Sequence, residues 1–489
     1  MKPSPGNDFM NPINSFQDQL LRRAFLKRSA GGIGMMALAS LLGRNLSSAE
    51  TVSGSERLVL PHYAPKAKRV IFMHMAGAPS HIDLFEHKPQ IEKLRGTNLP
   101  ASVRNGQRIT GFTSGQKTLP VAPAHWPFKL CGPSAMPISN LLPELQKIAG
   151  DVAFVRSMHT DAINHDPAMS FLQSGSQLPG RPALGSWLSY GLGTVNADLP
   201  AFVVLVSRGA GRPQESPVYD RFWSSGFLPG EHQGTRFRAG MEPVPFLANP
   251  GGVARADRRD QLDDLGTLNR HRHASLHDSE IATRIAQYEL AFRMQTSVPE
   301  LLDLSKEPRE VLDLYGPDVQ KPGSFAWNCL MARRLAERGV RTIQLSHVGW
   351  DHHENVVDQL PRQCAEADRP AAALITDLKQ RGLLDDTLVV WGGEFGRTIF
   401  TQGGSNGRDH HPRCFTIWMA GAGIKAGAVV GETDDFAYNV VRDPCSVHDL
   451  HATILDQLGI NHEKLTYLFQ GRKFRLTDVS GVPISGVLA

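Results

Sequence analysis

Two spacings of apolar residues alternate along this chain. Short, mostly apolar runs recur at Arg69–Met75, Val152–Val155, Ala201–Val206, Leu388–Trp391 and Phe415–Met419, with a more polar one at Arg341–Ser346. Bounded by glycine, proline or polar residues, such runs predict strands buried on both faces. Segments with helical spacing lie between them: Leu141–Ile148, a helix opening near Pro167, Phe325–Glu337, Arg369–Arg381 and Val447–Leu458. Gly339, Gly382 and Gly459 follow the last three and suit left-handed helix caps. Strand and helix in turn predict an α/β fold: a doubly wound, largely parallel sheet with helices on both faces. The middle departs from that rhythm. Gly209–Gly251 reads as loop, and Arg258–Met294 as mostly helical, with Ile281, Ile285, Tyr288 and Phe292 as its packed stripe. A loop-rich and helical insertion around residues 207–300 is therefore expected within one domain of residues 50–489.

Residues 1–49 stand apart. Arg22-Arg23 precede Phe25, Leu26 and Lys27, and a Gly/Ala-rich apolar run follows from Ala30 to Leu42. That run is short for a membrane span, and its positive flank marks a targeting segment. The stretch resembles a twin-arginine signal. The resemblance implies the twin-arginine export machinery as a partner, a periplasmic or otherwise exported protein, and no stable transmembrane domain.

Composition changes the picture little, but charge removes one class of function. The formal charge of the 489 residues is +4, and the leader's Lys2, Arg22, Arg23, Lys27, Arg28 and Arg44 supply most of the excess. A remainder close to neutral does not suggest a nucleic-acid partner. The five cysteines, Cys131, Cys329, Cys364, Cys414 and Cys445, form no CxxC pair and read as structural.

Candidate chemistry gathers where strands end, the usual ligand edge of an open parallel sheet. Gly349-Trp350-Asp351-His352-His353-Glu354 follows one strand and Gly392-Gly393-Glu394-Phe395-Gly396-Arg397 another. Gly407-Arg408-Asp409-His410-His411-Pro412 instead precedes the strand at Phe415 and needs a long loop to reach the same rim. Carboxylates and neutral imidazoles suit a divalent ion such as zinc, manganese or iron; a polar hydrogen-bonded turn is the simpler alternative for each cluster alone. His81 and Asp83 after the first strand, and His159, Asp161, His165 and Asp166 after the second, are further candidates, whereas His74 reads as a core histidine. No nucleophile elbow, P-loop or dinucleotide fingerprint is present.

Several motifs together resemble a family of exported bacterial proteins of planctomycete type, DUF1501. They are Gly77–Phe85, Arg156–Asp161, Gly226–Gly234, Asn328–Leu335, Gly349–His353, Glu394–Thr398 and Gly407–Pro412. The family in turn is similar to the alkaline phosphatase and sulfatase superfamily. That resemblance implies an alkaline phosphatase-like fold, a divalent metal ion (zinc, manganese, calcium or iron) and hydrolysis of phosphate or sulfate esters. It implies Asp351, His353, Glu394 and His411 as metal ligands, with His410 as an alternative to His411 and Asp83 as a further candidate. Arg397 would steady the anion. His165 and Met169 stand where sulfatases carry the nucleophile and an arginine, so His165 would serve as base or ligand and water as nucleophile. The implied partner is an anionic small molecule or a saccharide ester. The missing nucleophile leaves a second reading open, an exported metal-containing binding or accessory protein, with the aromatic-rich stretch Phe222–Phe246 as its contact surface.

Overall fold

The computed structural model describes residues 61–211, 218–240, 242–276, 279–404 and 406–489, all within one compact unit, Leu58–Ala489. The twin-arginine segment lies outside the described residues.

The apolar runs form the strands of one mixed, mostly parallel sheet. In chain order these are β1 (Arg69–Ala76), β2 (Val152–His159), β3 (Phe202–Arg208), β4 (Thr235–Phe237), β5 (Thr342–Val348) and β6 (Thr387–Gly392). A hairpin of β7 (Gly396–Gln402) and β8 (Gly407–His411) stands off the sheet, and β9 (Phe415–Gly421), β10 (Val429–Val430) and β11 (Cys445–Ser446) return to it. The order is β10-β2-β9-β6-β1-β5-β3-β4, with β11 also paired to β2. Only β9 is reversed: it pairs antiparallel with β2 and β6, and the other ladders of the sheet are parallel.

Alternate side chains of the strands feed two cores, as the pleat requires. Val70, Phe72, Val155 and Val390 pack under α1 (His165–Ser174), α2 (Leu184–Leu192) and a helix near the C-terminus, Val447–Gln457. Ile71, Met73, Leu345 and Val389 pack under Phe325–Glu337 and Val356–Gln380 on the other face. Because both faces are covered, β1 is buried from Val70 to Ala76, which accounts for its continuous apolar run.

Two local expectations are corrected. The helix expected over Arg369–Arg381 spans Val356–Gln380, passing through Pro361 and Pro370. Its buried stripe, including Leu360, Cys364, Ala367, Ala371, Leu374 and Leu378, sits on the sheet, and that burial outweighs the prolines' local cost. The charged middle section forms two helices, Arg255–Leu276 and Ser279–Leu302. Their core side is Leu262, Met294, Val298 and Leu301, while Tyr288 of the expected stripe is exposed and Phe292 lies beneath the guanidinium groups of Arg255 and Arg259. No helix among the described residues is long and apolar enough to cross a membrane.

Candidate metal centre

The reversed direction of β9 builds the site. Phe415, at its start, pairs with Met158 near the end of β2, so the chain just before β9 already lies at the carboxyl edge of the parallel strands. The third polar cluster therefore reaches the rim as the short β7–β8 hairpin. Arg408 N donates to the His352 carbonyl (3.1 Å), pinning the hairpin to the turn that leaves β5. Glycine permits the approach: a Cβ at Gly407 would lie 1.6 Å from the His353 carbonyl oxygen. Gly77, after β1, plays the same part with φ 107°, where a Cβ would meet the Asp351 nitrogen at 2.6 Å.

His165, Asp351, His353 and His410 converge there, each offering a ligand atom within 4.8 Å of the others. His165 Nε2 and His353 Nε2 each lie 3.0 Å from Asp351 Oδ1, and His410 Nε2 lies 3.7 Å from it. His353 Nε2 and His410 Nε2 are 2.9 Å apart.

The outward nitrogens show what the inward ones present. His165 Nδ1 is 2.5 Å from Glu394 Oε1, His410 Nδ1 is 2.7 Å from the Ile163 carbonyl, and His353 Nδ1 meets the Gln402 side-chain oxygen. Each acceptor draws the ring proton to Nδ1, so each neutral ring turns an Nε2 lone pair inward. The buried His165 Nε2 makes no hydrogen bond of proper geometry despite its nearness to Asp351. Three lone pairs and a carboxylate oxygen repel one another unless a cation or proton sits among them. An oxygen acceptor behind each imidazole is the usual support of a metal-binding histidine. The residues thus fit a divalent ion.

Electrostatics agree. Burial disfavours charge on His165, but Asp351 and Glu394 outweigh it and raise its pKa, so a proton can take the cation's place. Burial lowers His410 to about 3 and keeps it neutral. Burial opposes ionisation of Asp351, yet Arg397 and the histidines hold it far below the usual carboxylate range. His165 retains 14% of its side-chain exposure, while its Nε2 is buried.

The other candidates have different tasks. Glu394 sits one layer back: Oε1 accepts from Gly77 N (3.0 Å) as well as His165, and Oε2 lies 3.2 Å from the buried His74 Nε2. Asp83 is turned away, bound by Arg408 Nε (2.7 Å) and Nη2 (3.0 Å) and by Ser80 Oγ (2.6 Å). His411 points to the opposite side of its strand from His410, as strand alternation dictates, and its Nε2 donates to the Tyr438 carbonyl (2.7 Å). Arg397 is buried and its donors are taken up within the protein: it donates to the Asp351 carboxylate at Oδ1 (2.5 Å), to the Ala78 (3.1 Å) and Arg408 (3.2 Å) carbonyls and to that of Gly77. Sequence reasoning weighed His410 only as an alternative. It overlooked the support from His74, whose position inside a strand read as core, and from Gln402 and Ile163, which carry no motif.

Fold and site define an α/β protein with a candidate metal centre of three histidines and one aspartate at the carboxyl edge of its sheet. The chain belongs to the family described as "Protein of unknown function (DUF1501)", which matches residues 67–488. No curated protein matches it. Similar solved structures include the PsFucS1 sulfatase from Pseudoalteromonas sp., 14% identical over 87% of this chain and 72% of that one, TM-score 0.35. They include the phosphonate monoester hydrolase of Agrobacterium radiobacter, 12% identical over 81% and 74%, TM-score 0.34. TAB5 alkaline phosphatase with Mg bound is 10% identical over 82% and 100%, TM-score 0.31.

Proposed function

We propose that this protein is an exported, metal-dependent hydrolase of phosphate or sulfate esters. The convergence of three imidazole nitrogens and a carboxylate oxygen, each imidazole supported by an oxygen acceptor behind it, carries the reading. His165, His353, His410 and Asp351 hold the ion. A donor set of three nitrogens and one oxygen suits zinc, manganese or iron better than calcium, which prefers oxygen ligands. Such an ion acidifies water and polarises an ester oxygen. Glu394 and Arg397 act behind the ligands: Glu394 fixes the tautomer of His165, and Arg397 keeps Asp351 ionised and aimed. His165 stands where the resemblance places a nucleophile, so water is the attacking group, and the substrate is an anionic small molecule or a saccharide ester.

One observation favours a second reading, a metal-containing binding or accessory protein. Arg397 and Arg408 give their donors to backbone carbonyls and to Asp351 and Asp83, so neither is directed at a substrate anion. Hydrolysis of 4-nitrophenyl phosphate and 4-nitrophenyl sulfate by metal-loaded protein separates the two. Turnover that disappears in Asp351→Ala supports the hydrolase; bound metal without turnover of any ester in a broad panel supports the accessory protein. Export is part of the proposal, and retention of an Arg22→Lys/Arg23→Lys double variant in the cytoplasm is the expected result.

A further inference from the structure

Phe112 is 62% exposed, yet its ring centre lies 4.8 Å from that of His353 and 6.3 Å from that of His410. It is thus an exposed apolar ring set against two of the candidate ligands. Phe395 also touches the group, at 4.8 Å from His165 and 4.7 Å from His410, but it is fully buried and its packing accounts for it. No such account exists for Phe112, because an exposed ring gains little from folding.

The turn that carries Phe112 is nevertheless firmly built. Thr110 Oγ1 donates to Asp409 Oδ2 (2.5 Å), and Thr113 Oγ1 donates to the same oxygen. Phe112 N donates back to Thr110 Oγ1 (3.1 Å), and Ser114 N to the Thr110 carbonyl (3.0 Å). Thr110, Thr113 and Asp409 are all buried. Asp409 immediately precedes His410 and accepts from its backbone N–H (2.7 Å). One carboxylate therefore fixes a candidate ligand and the turn holding the ring beside it.

We propose that Phe112 is the specificity wall of the site, and that the organic part of the substrate carries a flat-faced ring, the π face of an aryl group or the C–H face of a pyranose. The proposal rests on the hydrolase reading and deepens it. A small acyl or methyl ester would leave Phe112 facing water, whereas a ring covers it while the anionic group reaches the histidines. Phe112 is a binding residue, and Thr110, Thr113 and Asp409 are positioning residues.

Methylphosphonate, phenylphosphonate and 6-deoxy-6-phosphonoglucose are stable probes that share one anionic head and differ in the ring. Their binding to metal-loaded protein is measured by calorimetry, with Phe112→Ala and Phe112→Trp beside the unsubstituted chain. At least one ring probe is expected to bind more tightly than methylphosphonate. Phe112→Ala is expected to weaken that probe about tenfold (about 1.4 kcal/mol), within the range of aromatic stacking. Phe112→Trp is expected to restore it, with methylphosphonate affinity and metal content constant across the three proteins. The preferred ring tells aryl from pyranose. Equal affinities for all three probes, or equal losses of all three in Phe112→Ala, overturn this proposal while leaving the metal reading intact. An unsubstituted protein that binds neither metal nor any phosphonate overturns both.

Discussion

Glu394→Gln changes one atom of the site and tests whether His165 is a supported ligand. In the native arrangement Glu394 Oε1 accepts from Gly77 N at 3.0 Å and faces His165 Nδ1 at 2.5 Å, while Oε2 faces His74 Nε2 at 3.2 Å. Glutamine can place its oxygen at Oε1 and keep the first two contacts. Its amide then points N–H at His74 Nε2, so the proton of His74 must move to Nδ1, which is buried and has no partner. An unsatisfied buried donor costs about 1–3 kcal/mol, and relief of a buried charge offsets part of that in the metal-free protein. Metal affinity is therefore the clearer measure. Losing the carboxylate behind a histidine ligand typically weakens binding about 10–100-fold, or about 1.4–2.7 kcal/mol. Competition with a chromogenic chelator at fixed pH reads this directly. An affinity within about twofold of native would refute the assignment of His165 as a ligand supported by Glu394, since such support is worth far more.

Other substitutions divide the site from its surroundings. His410→Ala is expected to abolish stoichiometric metal, and His411→Ala to retain it while lowering the melting temperature; loss of metal in the second alone would reverse the assignment of the two histidines. Arg408→Met strands Asp83, whose ionised form Arg408 maintains against the cost of burial, and is expected to destabilise the fold by about 3–5 kcal/mol in denaturant titration. Metal affinity should rise with pH until His165 has lost its proton, then flatten: the raised pKa means that the free site holds a proton the ion must displace, while His410, at about 3, contributes none. Calorimetry on the acid side of the ordinary histidine value, in buffers of different ionisation enthalpy, should show proton release on ion binding, because the raised pKa of His165 keeps it protonated there; release of none would contradict the electrostatics.

The sheet was legible in the chain because burial on both faces leaves mostly apolar runs at β1, β6 and β9, and these and the more polar β5 fall within two residues of the segments the pattern marks. Strand direction leaves no such trace. The reversal of β9 was invisible, and with it the short route by which Asp409-His410-His411 reaches the rim. The candidate ligands Asp351 and His353 stood out as a dense polar group at a strand end. The choice between His410 and His411 depends on which side of one strand faces the site, a matter of register that composition does not record. Asp83 and Arg397 misled because a buried ion pair and a binding site use the same residue types; only their partners, Arg408 for the one and Asp351 for the other, tell them apart.

The central claim is that His165, Asp351, His353 and His410 hold a divalent ion. Elemental mass spectrometry of protein purified without chelator or added metal tests it most directly, alongside His410→Ala prepared in the same way. About one equivalent of zinc, manganese or iron, lost in the variant, is the predicted result. No metal in the native protein, even after reconstitution with each of these ions, would contradict the account.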